Sequence, residues 1–354
     1  MALTKAGNIV LKYPHRKNLI INGNFDIWQR GTSFVGAAAV TASADRWRRA
    51  SSNDSVVNIA AGSHNANLGS RYTKYALGVS VTTADTSIGA AQYEGQAYVI
   101  EGYDVQTIMG QTVTLSFWVY SSLPGTYCVS FRSIAPTYRS YIVEYTINQA
   151  NTPEYKTITF TMDNGSVGTW DYENSTGLSI FFMLAAGTSL QGTANSWQTA
   201  NVIATSNQVN FLSATSRSFY LYQVQLELGP VATPFENRPF AEELALCQRY
   251  YEKSYNLGAF PGAASTLPGE EVFISPLTGA YYPRHSYKVK KRNDAVPYMY
   301  SSVTGAVGYI RDMSAGADVV VTPQVASETS NLFQVPVTDG RLYVYQWVAD
   351  AEFI

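Results

Sequence analysis

Apolar and polar residues alternate along several stretches between residues 18 and 228, with the two-residue period of a β-strand. In residues 112–120 and 156–162, every second side chain is apolar. Residues 178–184 are almost continuously apolar, which is typical of a strand that is buried on both faces. Many short strands separated by turn residues predict a two-sheet sandwich or jelly roll.

The first and last stretches of this series are expected to pack together. Residues 18–28, "NLIINGNFDIW", start as an apolar strand and turn at Asn22-Gly23-Asn24, where an Asn-Gly pair supplies positive φ. Residues 219–228 form the last strand, against which we expect the first to close. The alternation in the last strand predicts one apolar face, made of Tyr220, Tyr222, Val224, Leu226 and Leu228.

Residues 237–255 have the period of a helix instead. Asn237 or Arg238 can cap it, and Pro239 falls in or near the first turn. Its apolar stripe consists of Phe240, Leu244, Cys247 and Tyr251. The stripe can pack on the sandwich or form a contact between subunits, and the sequence leaves both possibilities open.

These patterns divide the chain into five parts and predict an all-β fold. A basic arm at 1–17 precedes a jelly-roll β-sandwich at 18–236. One short α-helix at 237–255 and a Gly-, Ala- and Pro-rich linker at 256–268 follow it. Residues 269–354 contain short strands punctuated by prolines, and they form a small C-terminal β domain.

Composition limits the classes of partner. The chain has 354 residues and a net charge of −2, so electrostatics give no reason to expect binding to nucleic acid or an anionic membrane. The densest basic run, residues 288–292, is interpreted as a solvated strand edge. No apolar stretch is long enough for a signal peptide or a membrane span, so we expect a soluble protein made in a cytoplasm.

The sequence contains few groups that typically perform catalysis or bind metals. The histidines His15, His64 and His285 are scattered, and none belongs to a metal or catalytic motif. Cys128 and Cys247 are predicted to be buried as small hydrophobic residues, not joined as a disulfide. No cofactor is predicted.

Paired carboxylates deserve separate consideration because glycoside hydrolysis requires two. Six acidic residues lie in loop-like polar segments, namely Glu94, Glu101, Asp104, Asp163, Asp171 and Glu173. With 26 acidic residues in the chain, chance proximity explains such pairs equally well. The chain is therefore predicted not to be an enzyme.

Aromatic side chains next to amides point to glycan binding. A pyranose has an apolar face and a rim of hydroxyls, which aromatic rings and amide groups can meet together. The predicted glycan-binding residues are Trp118, Tyr120, Trp170, Tyr172 and Trp197. The alternative is that these rings fill the edges of the sandwich or pack against another subunit.

Two blocks of sequence resemble a known family. "NLIINGNFDIWQRG" with the later "ADRW" resembles the first strands of a jelly-roll domain of bacteriophage tail-fibre and other virion proteins. Its opening residues also resemble carbohydrate-binding jelly rolls. Residues 220–255 and the final "YQWVADAEF" are similar to the last strand, helix and C-terminal strand of the phage proteins.

This resemblance implies a virion structural protein, most naturally a homotrimeric tail-fibre or appendage component that recognises host-surface glycans. Residues 1–17 would dock to other virion proteins. The alternatives are a purely structural head or tail decoration protein and a polysaccharide depolymerase. In sugar-binding relatives a carboxylate at the Asp26 position helps to hold a structural calcium, but Tyr222 and Gln223 stand where a second acid is expected.

Overall fold

The computed structural model describes residues 17–62, 67–68, 71–265 and 269–353. Almost all of the predicted basic arm lies outside the described residues, as do His15, His64 and the end of the predicted linker. None of the helices in the described ranges has the length and apolar character needed to cross a membrane.

Fourteen strands are described between Ser33 and Leu228. In chain order they are β1 (Ser33–Phe34), β2 (Trp47–Ser52), β3 (Val56–Gly62), β4 (Asn67–Leu68), β5 (Arg71–Tyr72), β6 (Ala76–Thr83), β7 (Tyr93–Glu101), β8 (Thr112–Ser121), β9 (Gly125–Arg132), β10 (Ser140–Ile147), β11 (Glu154–Thr161), β12 (Thr176–Ala186), β13 (Trp197–Gln198) and β14 (Ser218–Leu228). A one-turn helix, α1 (Gly102–Val105), follows β7. The four predicted strands at 112–120, 156–162, 178–184 and 219–228 are confirmed as β8, β11, β12 and β14.

Two six-stranded antiparallel sheets form a jelly-roll sandwich. The first sheet has the order β1-β3-β6-β14-β8-β11 and the second has the order β13-β10-β9-β12-β7-β2. Side chains from both inner faces meet in one core, where the rings of Phe117 and Phe182 lie 5.1 Å apart, edge to face. The ring of Trp47 lies 5.0 Å from Phe25 and 5.1 Å from Tyr98. Such aromatic pairs each contribute about 0.5–1.5 kcal/mol beyond their burial.

The opening stretch closes the sandwich without forming a strand. A turn at 21–24 confirms the predicted turn, and the backbone N–H of Leu19 donates to the carbonyl of Leu226 at 2.9 Å. The N–H of Val224 donates to the carbonyl of Gly23 at 2.8 Å. A Cβ atom at Gly23 would lie 2.1 Å from the Val224 carbonyl oxygen, so only glycine fits there. The predicted closure against the last strand is correct, and the predicted first strand is wrong.

A bulge in β14 corrects the predicted single apolar face. The pairing with β8 shifts register between Tyr222 and Gln225, and Gln223 has a φ of 45°. Before the bulge Tyr222 points to the outer face of the first sheet; after it Val224 and Leu226 point into the core. One extra residue exchanges the two faces.

The main helix, α2 (Phe240–Gln248), is shorter than predicted. Pro239 occupies the N-cap position without a side-chain hydrogen bond, so neither Asn237 nor Arg238 caps the helix. Arg238 instead forms ion pairs with Glu236 at 2.9 Å and Glu243 at 3.0 Å. After the helix the chain turns extended and pairs with the C-terminal strand.

The apolar stripe of the helix packs mainly on its own chain. Cys247 is fully buried and Tyr251 is 4% exposed, so neither can form the predicted contact with another subunit. Leu244 is half-buried and Phe240 is exposed. Both cysteines are buried and free, as predicted.

Ten strands form the C-terminal region. They are β15 (Tyr251–Lys253), β16 (Glu271–Ile274), β17 (Gly279–Tyr281), β18 (Arg284–Ser286), β19 (Val296–Tyr300), β20 (Tyr309–Asp312), β21 (Ala317–Val320), β22 (Thr322–Ala326), β23 (Ser330–Val337) and β24 (Leu342–Asp350). Strand β24 is central, because β15, β16, β19 and β20 all pair with it, and β21 extends the sheet from β20. A smaller sheet pairs β17, β18 and β22 with β23.

Charged side chains connect the C-terminal region to the sandwich. Arg30 pairs with Asp350 at 3.2 Å, and Arg46 pairs with Glu352. The guanidinium of Arg46 also lies 3.4 Å from the ring centre of Tyr250. The domain boundaries stay a prediction, but these contacts hold the final residues of the chain against the sandwich.

The basic run at 288–292 forms no strand and is only partly solvated. Lys288 and Lys290 are exposed, as its composition suggested, whereas Lys291 and Arg292 are buried. Lys291 is fully buried, where its ammonium pairs with Glu252 at 2.5 Å and donates to the Gln248 carbonyl at 2.7 Å. Arg292 is 8% exposed and donates to the Ala351 carbonyl at 2.9 Å. These cations serve as internal hydrogen-bond donors between segments.

Candidate functional site

The outer face of the first sheet carries a continuous group of aromatic rings. The group consists of Trp118 and Tyr120 from β8, Tyr155 from β11, and Tyr220 and Tyr222 from β14, and is called the aromatic face below. Trp118 pairs in register with Tyr155 on one side and Tyr222 on the other. The rings of Trp118 and Tyr155 lie 5.4 Å apart, and those of Tyr120 and Tyr220 lie 5.3 Å apart.

Two glycines allow the ring of Tyr220 to lie flat on the sheet. A Cβ atom at either Gly62 or Gly78 would lie 2.7 Å from Tyr220 Cε1, closer than any real contact. These positions belong to β3 and β6, so the ring extends sideways from β14 over the adjacent strand β6 and reaches β3 beyond it. A ring that lies on a sheet presents its face to solvent, whereas an upright ring presents its edge.

The aromatic face combines exposed rings with a buried hydroxyl. Tyr155 is 45% exposed, Trp118, Tyr120 and Tyr220 are half-buried, and Tyr222 is fully buried beneath its neighbours. Burial raises the pKa of Tyr222 above its ordinary value. Among the described residues its hydroxyl finds no hydrogen-bond partner. A buried hydroxyl without a partner costs about 1–3 kcal/mol of stability.

Charge is absent from the described strand positions around these rings. The flanking outward positions are polar or small, and they are Asn58, Ala60, Ser80, Thr157 and Thr159. At one side the hydroxyl of Tyr120 donates to Asn151 Oδ1 at 2.9 Å. The surface therefore offers aromatic contact and neutral hydrogen bonding, and it offers no counter-charge.

The other half of the same sheet face is covered by the chain itself. Residues 229–238 cross it, and Thr114 Oγ1 donates to the Gly229 carbonyl at 2.7 Å. The carboxylate of Glu227 accepts from the backbone N–H of Thr233 at 2.8 Å and from its hydroxyl at 2.6 Å. This cover stops short of the aromatic face.

The predicted glycan-binding residues fall into two separate groups. Trp118 and Tyr120 belong to the aromatic face, whereas Trp170, Tyr172 and Trp197 lie at an edge of the sandwich. The indoles of Trp170 and Trp197 are 5.9 Å apart and pack against the core. Their Nε1–H groups donate to backbone carbonyls, of Val167 and Thr161 respectively, each at 2.9 Å.

This edge geometry matches the alternative that the rings fill the edges of the sandwich. The indole donors are already satisfied within the chain, and the ring of Trp197 lies 5.2 Å from that of Tyr141. The sequence analysis did not predict Tyr155 and Tyr220 as glycan-binding residues. The signal that could have found them is register, since both stand beside the aromatic positions of β8 once the strands are paired.

The candidate catalytic carboxylates are mostly engaged in structural contacts. Glu94 pairs inside the sandwich with Arg49 at 2.6 Å, and Asp163 pairs with Arg139 at 2.8 Å. Glu101 pairs with Arg249 and accepts from the hydroxyl of Tyr250 at 2.6 Å.

The remaining three candidate carboxylates do not form a pair at a cleft among the described residues. Asp171 accepts from the backbone N–H groups of Glu173 at 2.9 Å and Ser175 at 3.2 Å. Asp104 is half-buried on α1, and Glu173 is exposed. The placement of these acids gives no support to a catalytic pair.

Asp26 lies in a cleft of about 80 Å³ beside Asn24, Glu236 and Glu243. Burial raises the pKa of Asp26, while the amide of Asn24 donates to it at 2.8 Å. Glu236 and Glu243 are already paired with Arg238. Calcium takes six to eight oxygen ligands and favours several carboxylates, so one uncommitted carboxylate is a poor fit for this ion. The described residues contain no group of three or more His, Cys, Asp or Glu side chains placed to hold a metal.

Comparison with models of protein families finds no match for this sequence, and comparison with curated proteins finds none either. Among solved structures, the chain is similar to the enzymatically active domain of tailspike protein 4 of bacteriophage CBA120, with a TM-score of 0.33 and 13% identity. That match covers 60% of this chain and 21% of the other, so the chain spans about a fifth of the tailspike domain.

Two further similarities are to carbohydrate-binding modules. A family 4 module gives a TM-score of 0.30 at 14% identity, covering 59% of this chain and 98% of that one. A family 11 module from Clostridium thermocellum, in complex with a mixed-linked tetrasaccharide, gives 0.28 at 16% identity, covering 53% and 91%. Scores this low carry no argument about function, which has to come from the site itself.

Proposed function

We propose that this chain is a glycan-binding structural component of a phage particle, in a tail fibre or related appendage, and that the aromatic face is its binding surface. The observation that supports this most strongly is the flat placement of Tyr220 over Gly62 and Gly78. Together with Trp118, Tyr120 and Tyr155, it forms a continuous group of rings on the outer face of the sheet. The ring planes of Tyr120 and Tyr220 meet at 71°, and those of Trp118 and Tyr155 meet at 48°.

Physical chemistry favours a neutral saccharide as the ligand. The apolar face of a pyranose can lie on the rings, and the surrounding threonines and Asn151 can bond its hydroxyls. An anionic ligand would find no cation among the described strand positions of this face. A polysaccharide also suits an open surface, because a long chain can lie across several rings at once.

The virion setting rests on the sequence resemblance at residues 18–31, 44–47 and 220–255. A homotrimer would present three such faces, and several weak sites on one particle gain avidity without any new contact. Residues 1–17 would then dock to other virion proteins. In this setting the weak affinity of a single open face is sufficient for attachment to a host surface.

The test is calorimetric titration of the purified full chain with neutral polysaccharides and with surface polysaccharide from candidate hosts. Trp118→Ala and Tyr155→Ala are each expected to weaken binding about tenfold. Stacking of a nucleic-acid base on an aromatic ring is worth about 1–3 kcal/mol, and we expect a similar gain for the apolar face of a pyranose. Tyr103→Ala is the matched control, because Tyr103 is 55% exposed on α1, away from the aromatic face.

Three outcomes would contradict the proposal. Binding that survives both aromatic-face substitutions would place the ligand elsewhere. Absence of binding across the whole panel would leave a structural decoration protein without a ligand. Release of reducing sugar, lost on changing Glu101 or Asp171, would instead establish a depolymerase.

A further inference from the structure

The C-terminal sheet built on β24 is apolar on both of its faces. On the inner face, Phe273, Ile310 and Tyr343 pack into the core of this region. On the outer face, the same strands present a second apolar set, called here the apolar C-terminal face. It consists of Val272, Ile274, Tyr309, Met313, Val320 and Leu342.

Strand register makes this outer set continuous. Val272 pairs with Val344, Val344 pairs with Arg311, and Arg311 pairs with Asp318, forming one row across four strands. Ile274 and Leu342 pair in the row on one side, and Tyr309 and Val320 pair in the row on the other. The apolar residues are therefore neighbours on the sheet, and the Arg311–Asp318 pair is the polar part of the central row.

These side chains are more exposed than an ordinary solvated sheet face allows. Val272 is 62% exposed, Ile274 is 66% exposed and Val320 is 56% exposed. Antiparallel sheets with one solvated face alternate apolar and polar residues, whereas strands apolar on both faces are typical of sheets covered on both sides. A contiguous exposed apolar patch marks an interaction surface.

The charge on this face is neutralised within it. Arg311 pairs with Asp318 at 3.3 Å, and Asp318 also accepts from the hydroxyl of Ser301 at 2.7 Å. These bonds lower the pKa of Asp318 despite its partial burial, so it stays ionised opposite Arg311. A nucleic acid, an acidic peptide or an anionic lipid would meet no free counter-charge. An apolar, internally neutral surface is complementary to a copy of itself.

We propose that the apolar C-terminal face binds the same face of another copy of this chain. Four strands and three outward rows span about 20 Å by 20 Å, roughly 400 Å². Stable complexes bury about 800 Å² per partner, so this contact alone gives weak, concentration-dependent association. A contact between identical faces joins two chains, so this inference goes beyond the proposed homotrimer, and it is independent of glycan binding.

The experiment is light scattering on the full chain over a hundredfold range of concentration. The wild-type mass is expected to rise from that of one chain toward that of two, because a contact between identical faces closes as a pair. A double variant, Val272→Asp with Ile274→Asp, is expected to keep the mass of one chain throughout, because two buried carboxylates facing two others repel each other. Val231→Asp is the matched control, since Val231 is 69% exposed outside this face.

A second variant tests the same contact without relying on correct folding of the double aspartate variant. Ile274→Cys places a thiol on the face, and both native cysteines are buried, so background oxidation is low. Mild oxidation is expected to give a cross-linked pair of chains. Unchanged glycan binding by the double variant would show that its fold is intact and that the two surfaces act separately.

A wild-type chain that remains one chain at every concentration would overturn the proposal, as would a double variant that associates like the wild type. If the wild type stays monomeric but binds vesicles of phosphatidylcholine, then the occupant is a neutral lipid surface and the self-association proposal is wrong.

Discussion

The outer faces of the two sheets of the sandwich differ in how far later segments of the chain cover them. On the second sheet, residues 187–210 fold back, and Val202 and Ile203 pack on Cys128, Ile142 and Phe181 to form a small core of their own. On the first sheet, the crossing segment 229–238 covers only one half. The uncovered half carries the aromatic face.

This difference separates structural aromatic residues from available ones. Phe181 lies on the second sheet and is 3% exposed, beneath the guanidinium of Arg132 at 4.7 Å. Tyr155 occupies a comparable outward position on the first sheet and is 45% exposed. Both are aromatic residues on outward strand positions. They differ in cover by a later segment and in strand position, since β11 is an edge strand and β12 is internal. Cover by the chain, more than residue type, therefore decides where a ligand can bind.

Truncation of one ring from each face should separate the two faces most clearly. Phe181→Ala is expected to lower the free energy of unfolding by about 4 kcal/mol, because a buried ring leaves a cavity. Tyr155→Ala should cost less than about 1 kcal/mol, because this ring is largely solvated. Chemical denaturation monitored by circular dichroism measures both. Equal losses would show that the two faces are packed alike.

Acid should destabilise the protein while leaving the affinity of the aromatic face unchanged. Burial against Trp347 lowers the pKa of His285 from 6.5 to about 4, with Lys288 and Lys291 adding to the effect, although the half-buried carboxylate of Glu271 lies 3.6 Å from Nδ1. Between pH 6.5 and about 4, His285 binds a proton in the unfolded chain but stays neutral in the folded chain. Stability present above pH 6.5 is therefore lost as the pH falls toward 4, by on the order of 2 kcal/mol.

The corresponding measurement is denaturation at pH 7 and pH 4 for the wild type and for His285→Phe, whose loss should be smaller. Glycan affinity should stay flat over the range in which the protein remains folded, because the described positions of the aromatic face carry no charged side chain. An affinity that changes severalfold while the fold is intact would point to a titrating group in the binding site.

Gly78→Ala tests whether the flat ring of Tyr220 is needed. The added methyl group would sit 2.7 Å from the ring, so we expect a loss of about 1–2 kcal/mol in stability and weaker glycan binding as the ring is lifted. Adding Tyr220→Ala should relieve the clash and restore part of the stability without restoring binding. Additive stability losses in the double variant would argue against the clash.

Thr233→Val probes the covered half of the first sheet. It removes the hydroxyl that donates to Glu227 at 2.6 Å, and the expected cost is about 1 kcal/mol in stability. Glycan affinity should be unchanged, because this contact lies outside the aromatic face. A loss of affinity in a folded protein would extend the binding surface across the crossing segment.

Periodicity was enough to predict the all-β fold and four of the fourteen strands described up to Leu228. In β8, Leu115 and Phe117 are buried as the alternation requires, and the apolar run in β12 is buried on both faces. The bulge at Gln223 was beyond such reasoning, because an extra residue leaves the alternation of the letters intact while exchanging the faces. The helix ends before residue 255, where the prediction placed its end, because residues 251–253 form backbone hydrogen bonds to β24 instead.

The aromatic face was only partly predictable. Trp118 and Tyr120 stand out in their strand, but their companions Tyr155 and Tyr220 become neighbours only when the strands are paired. Trp170 and Trp197 also stand next to polar residues in the sequence, but in the structure their indoles donate to backbone carbonyls at an edge of the sandwich. The burial of Lys291 could not be predicted for a similar reason. Its ion-pair partner, Glu252, lies 39 residues away in the sequence and becomes a neighbour only in the folded chain.

The most direct test compares Trp118→Ala with Trp197→Ala in affinity electrophoresis through gels that contain a polysaccharide retarding the wild type. We expect Trp118→Ala to migrate as if the polysaccharide were absent. Trp197→Ala should be retarded like the wild type, although less stable to heat, since its indole supports the edge of the core. Retardation retained by Trp118→Ala and lost by a folded Trp197→Ala would contradict the assignment of the aromatic face and move the site to the sandwich edge.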